Sequence, residues 1–271
     1  MQREFADRVR VTIADGIAQV TMIRAERHNG MDFPMLKAML AAQKALRGRR
    51  DVRCAIVHGD GPSFCAGLDF KSVMANPRQA FVLYLKLWSP FINVFQRFSL
   101  GWRRLPFPVI AAVHGNCFGA GMQLALGADI RIARSDAQLS IMESKWGLIP
   151  DMGGTVLLRE LVPIDVAKEL TMTSRIFSGG DAQALGLVTH LADDPLQAAR
   201  ALAAEIATRS PDAVAAGKFL LQRSWMRGEH GALALERGYQ RRIINRRNQK
   251  ISVARNQRKA DTPFAARRVD R

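Results

Sequence analysis

Residues 8–24 alternate apolar and polar positions on either side of Asp15-Gly16, which predicts two short strands joined at that turn. The period then changes. Over 33–46, Met35, Leu36, Met39, Leu40 and Leu46 fall on one stripe at helical spacing. The apolar run 53–58 reads as a short buried strand, ended by the turn signal Gly59-Asp60-Gly61-Pro62. Helical periodicity spans 78–102 and stops at Pro106-Phe107-Pro108, after which 109–113 (VIAAV) predicts a strand covered on both faces. A glycine-rich turn, a helix through Leu126, a strand over 129–134 and a further short strand over 137–141 follow. The pattern predicts a loop over 147–154, helices over 155–161 and 163–173, a short helix over 181–185 stopped by Gly186, and a late strand over 187–192. From Pro195 onward everything reads helical. Strands alternating with helices over 1–194 predict an α/β core, and 195–271 predicts a helical region beside it.

At 271 residues and 48% hydrophobic, the chain can bury a full core. It contains no uninterrupted apolar run of about eighteen residues, and its start, MQREFADRVR, resembles neither a secretory signal nor a transit peptide. A soluble, cytoplasmic protein without a membrane partner is the expectation. The net charge is +16, and the excess is uneven: residues 236–271 hold twelve Lys/Arg against three Asp/Glu. A basic tail attracts anionic partners, whether nucleic acid, membrane or a phosphate-bearing ligand. Aromatic residues are sparse there (Tyr239 and Phe264), so no base-stacking platform is expected. Cys54, Cys65 and Cys117 form no CxxC pair and lie in or beside apolar runs, as small buried hydrophobes do. The five histidines show no metal-binding spacing, and no metal is expected.

The chemistry concentrates in PVIAAVHGNCFGAGMQLAL (108–126), a buried strand, a turn with Gly115, Gly119 and Gly121, then a helix. Small residues let a ligand approach the backbone, and a helix start leaves N–H groups unpaired beside a partial positive charge. Such a turn suits an anion, or an oxygen that becomes one. The glycine spacing fits neither a dinucleotide fingerprint nor a P-loop. Tight helix–strand packing alone would also select these glycines.

Together with GDGPSFCAGLDF (59–70), ESKWGLIPDMGGTVLLREL (143–161) and ALGLVTHL (184–191), in that order, the segment resembles the enoyl-CoA hydratase/isomerase, or crotonase, superfamily. The resemblance runs from about Arg24 into the C-terminal helices. It implies a spiral of ββα units with a C-terminal helical trimerisation region, assembling as a homotrimer or hexamer. It also implies an acyl-CoA thioester substrate, with coenzyme A carried as part of the substrate and no separate cofactor. The family's oxyanion hole maps onto the backbone N–H groups of Leu68 and Ala120, with Ala66, Gly67 and Gly119 shaping the site. Two such donors stabilise the charge that reaches the carbonyl oxygen when a proton leaves the neighbouring carbon; each contributes about 3–4 kcal/mol.

The hydratases of this family hold water between two carboxylates. The first position is Gln123 here, an amide that can hydrogen-bond but cannot take a proton. The second is Glu143. Asp151 stands where dienoyl-CoA isomerases carry an acid, although their further aspartate would align with Gln123. Glu143, with help from Asp151, therefore favours double-bond isomerisation; hydration of 2-enoyl-CoA is the alternative. A non-catalytic or RNA-binding role on the same scaffold, using the basic tail, is a third reading, and a nucleic-acid partner is not expected. Thioester hydrolysis through Cys65 or Cys117 is a weaker one. Gln123 is expected at the substrate, hydrogen-bonded to Glu143 or a water, and Arg27 near a CoA phosphate. Lys218 is read as a solvated helix position or a CoA contact, and Asp69 as loop structure. Met74, Phe81, Leu83 and Leu87 are expected to wall the acyl pocket.

Overall fold

The computed structural model describes residues 1–270, except for the side chain of Leu83. Ten strands form two sheets: β1 (Gln2–Phe5), β2 (Val9–Ala14), β3 (Ile17–Met22), β4 (Cys54–Gly59), β5 (Val109–Val113), β6 (Asn116–Phe118), β7 (Ile130–Ala133), β8 (Gln138–Ser140), β9 (Phe177–Ser178) and β10 (His190–Leu191). The larger sheet has the order β1-β2-β3-β4-β5-β7-β10, antiparallel from β1 to β3 and parallel from there on. The smaller has the order β6-β8-β9. This is the α/β architecture expected.

The period of two places the core on both faces of the larger sheet. Cys54 and Ile56 of β4, with Ile110 and Ala112 of β5 and Ile132 of β7, pack against Ala199 and Ala203 of the helix Pro195–Ala207. The intervening Ala55, Val57, Val109, Ala111 and Val113 face a second layer that includes the helices Phe33–Arg47 and Val94–Arg103. Strands covered on both faces read as continuous apolar runs, which is why β4 and β5 are plain in the sequence. Asp32 starts the first of these helices by accepting the Met35 N–H at 2.7 Å, and Pro34 lies in its first turn.

Three expectations need correction. The helical stretch 78–102 is broken into Pro77–Leu85, a 3₁₀ turn Lys86–Trp88 and Val94–Arg103, with Ser89-Pro90 between. Proline disfavours the helical conformation of the residue before it. The C-terminal region is not helical throughout, since among the described residues no helix follows Arg247–Asn256. Instead the last residues strap back onto the core. The buried Arg267 guanidinium donates to the Val52 and Arg49 carbonyls, each at 3.0 Å, and the buried Asp212 accepts from the N–H groups of Arg268 and Val269. Lys218, finally, is neither solvated nor available to a ligand. Its ammonium is buried 2.7 Å from Asp129 and donates to the Phe107 carbonyl, because the helix Pro211–Ser224 docks that face inward.

Candidate active site

A cavity of about 680 Å³ opens between the smaller sheet, the loop 66–70 and the segment 142–152. Ala66, Gly67, Leu68, Gly119, Ala120, Glu143 and Asp151 all line it, so seven of the nine residues expected at the site come together there. Gln123 and Arg27 are not on its wall. Arg27 is exposed on the loop before Gly30 and makes no ion pair or side-chain hydrogen bond among the described residues.

Two turns shape the backbone here. Gly67 has φ +92° and Gly119 has φ +48°, conformations that L side chains rarely adopt. A Cβ on Gly67 would also meet the Phe118 carbonyl oxygen at 2.9 Å. Met31 pairs with the residues on either side of Leu68, accepting from Asp69 N–H and donating to the Gly67 carbonyl at 2.7 Å. Alternation along an extended chain therefore turns the Leu68 N–H to the opposite side. Gly119 donates to Ser140 at 2.9 Å, and Ala120 is the first residue of the helix Ala120–Leu126. Neither the Leu68 nor the Ala120 N–H donates to an acceptor among the described residues.

Glu143 begins a 3₁₀ turn, Glu143–Trp146, and is buried at 9% exposure. Its Oε1 accepts from Gln123 Nε2 at 2.6 Å, whereas Oε2 is buried without a partner among the described residues. Burial pushes its carboxyl above the usual carboxylate range; the Gln123 hydrogen bond opposes that shift and nearby Asp151 adds to it. Asp151 is also raised by desolvation although its side chain reaches solvent, and Gly153 rather than Asp151 stands at the start of the next helix. Asp69 is structural: it caps the helix Phe70–Met74 and pairs with the buried Arg24 at 2.8 Å.

The rest of the wall is apolar. Phe70 lies against Trp146 with ring centroids 4.5 Å apart, and Val73, Phe95, Leu148 and Ile149 continue the lining. Of the wall residues expected from the sequence, Leu87 is present; Met74 and Phe81 lie exposed outside the lining, and the side chain of Leu83 lies outside the described residues. Trp146 and Ile149 were not anticipated. Their signal was a set of large apolar residues in a non-periodic loop directly after Glu143. The cysteines take no part in the lining: all three are buried, and desolvation pushes the Cys65 thiol up to about 11.

The chain matches the enoyl-CoA hydratase/isomerase family over residues 12–267. It belongs to that family. An enoyl-CoA hydratase from Polaromonas sp. JS666 superposes with a TM-score of 0.85 at 29% identity, covering 95% of this chain and 99% of that one. A protein of Thermobifida fusca YX, solved in complex with acetoacetyl-CoA, gives 0.77 at 30% identity, covering 88% and 94%. Methylglutaconyl-CoA hydratase of Mus musculus is 33% identical over 177 residues, which is 65% of this chain and only 54% of that protein's length. The cavity lies where three of the four sequence motifs, 59–70, 108–126 and 143–161, converge; none of 184–191 lines it.

Proposed function

We propose that this protein isomerises the double bond of an acyl-CoA thioester, with Glu143 as the proton carrier and the Leu68 and Ala120 N–H groups as the oxyanion hole. The observation that carries this reading is the Glu143 carboxylate: it sits on the cavity wall with one buried oxygen unpartnered and no second carboxylate at position 123. Protonating that oxygen removes a buried charge, which favours proton uptake from a weak carbon acid. On a 3-enoyl thioester, Glu143 takes a proton from C2. The electron pair left behind spreads through the carbonyl and the C3–C4 double bond, placing negative charge on the thioester oxygen. Return of the same proton to C4 leaves the double bond between C2 and C3, and the molecular formula is unchanged. Asp151, on the same wall, assists at one end of that transfer.

The acyl group is apolar. Among the described residues, none lining the cavity is Lys, Arg or His, and its acids are Glu143 and Asp151. An acyl chain bearing its own carboxylate, as in methylglutaconyl-CoA, would be buried without a counter-ion. Arg27, unpaired on the 24–32 loop, is proposed to meet a CoA phosphate. A homotrimer or hexamer built by the C-terminal helices is proposed as well, supported by exposed Leu221, Trp225, Met226 and Ile244 on and beside those helices.

Hydration of 2-enoyl-CoA is the second reading, favoured by the name of the Mus musculus relative and by Asp151 as another carboxylate on the wall. Turnover of 3-enoyl-, 3,5-dienoyl- and 2-enoyl-CoA separates the two readings. Isomerisation predicts that the first or second substrate is preferred and that Glu143→Gln removes the activity; full turnover by that variant would overturn the assignment.

A further inference from the structure

Gln123 occupies the position where two-carboxylate members of the family carry an acid, yet it is no vacancy. It is 1% exposed, and every polar atom of its side chain is engaged. One amide atom accepts the N–H groups of Met152 and Gly154, both at 2.9 Å. Two donors aimed at one atom identify it as the oxygen, so the nitrogen must be the atom that faces Glu143. The surrounding loop is fitted to this amide: a Cβ on Gly154 would come within 2.8 Å of the same oxygen. A single side chain thus ties together the helix that carries Ala120, the turn that carries Glu143 and the loop that follows Asp151.

We propose that Gln123 is a positioning residue that holds Glu143 by one oxygen, leaves the other free to accept the substrate's proton, and so keeps position 123 out of the proton transfer. The proposal rests on the reading of Glu143 as proton carrier. A neutral amide can donate to a carboxylate in both stages of a proton shuttle but can never exchange its own proton for the substrate's. A carboxylate in its place would still accept from Met152 and Gly154. Its other oxygen would then face Glu143 Oε1 across the present 2.6 Å contact, and two carboxylates that close share one proton and titrate as a pair. Gln123 prevents that coupling, and Asp151 remains the acid whose charge acts on Glu143. The amide also stabilises the ionised form that has to begin the reaction.

The experiment is the pH dependence of kcat and KM for a 3-enoyl-CoA, measured on the full chain for wild type, Gln123→Met, Gln123→Glu and Glu143→Gln, with a thermal melt of each. Gln123→Met should lower kcat by about 100-fold through loss of alignment, with KM little changed. Both Gln123 variants should move the acid limb of the kcat profile upward, by about one pH unit or more for Gln123→Glu. If Gln123→Met fails to fold, Gln123→Glu decides alone, because it keeps the acceptor for Met152 and Gly154. A wild-type acid limb in the folded Gln123 variants, with Glu143→Gln inactive, overturns this inference and leaves the isomerase reading standing. An active Glu143→Gln overturns the reading on which it rests.

Discussion

Gly119 brings its turn directly against Glu143: a Cβ built on Gly119 would lie 3.5 Å from Glu143 Oε1. The residue that precedes the Ala120 N–H therefore lies beside the acid, and the two proposed catalytic elements share a wall. Ala120→Pro removes the donor, because proline is accepted at the first position of a helix and carries no N–H, and its ring carbon takes the place of that hydrogen. Its kcat should fall by about 10²–10³-fold, the loss typical of one oxyanion donor, while circular dichroism and melting temperature stay near wild type.

Glu143→Gln should lower turnover by about 10²–10⁴-fold and, at neutral pH, raise the melting temperature. Burial raises the folded carboxyl above its unfolded value. Its stabilising contribution is therefore complete below the unfolded value and is lost as the pH rises through the folded one. At pH 7 the wild-type group is a buried charge that the amide removes; near pH 4 the two proteins should melt alike. Melts at both pH values check this, and a variant less stable at pH 7 would contradict it.

The buried His58 should make the fold acid-sensitive. Its Nε2 lies 2.9 Å from Thr21 Oγ1 and from Gln19 Nε2, and burial pushes it down to about 4. An imidazole depressed in this way contributes stability above its unfolded value of 6.5, lost as the pH falls from there towards 4. The loss should approach about 3 kcal/mol. Urea unfolding across that range should show a shallower pH dependence for His58→Gln than for wild type.

The terminal strap should carry stability. Arg267→Ala removes two hydrogen bonds to the Val52 and Arg49 carbonyls and the contact of its guanidinium with the Phe107 ring, 5.4 Å from the centroid. The expected cost is about 3 kcal/mol, read as a lower urea midpoint. A midpoint equal to wild type would mean that the strap is ornamental to the fold.

The thiols should be silent. Cys54 is pushed up to about 12 and Cys65 to about 11, both chiefly by burial, and Cys117 is raised by the same cause. Iodoacetamide at pH 8 should label none of them in the folded protein and leave turnover intact, whereas labelling in urea should reach all three.

The apolar runs of β4 and β5, the striped helix Phe33–Arg47 and the glycine turns were legible because each is set by local spacing or backbone sterics. Leu68, Ala120, Glu143 and Asp151 were marked by the family resemblance of the motifs that carry them, not by spacing. The strands β6 and β9, two or three residues long, carry no period of their own and exist through pairing with β8. Lys218 looked like a surface lysine because its partner Asp129 is remote in the chain, and Arg267 looked like one more charge in a basic tail. The hydrogen bond from Gln123 to Glu143 was among the expectations, but not what holds the amide in place. Composition says that an amide cannot take a proton, but its orientation follows from the N–H groups of Met152 and Gly154, which only packing brings to it. Local order is written in neighbouring residues, whereas a buried polar group takes its meaning from whichever distant donor or acceptor the fold delivers.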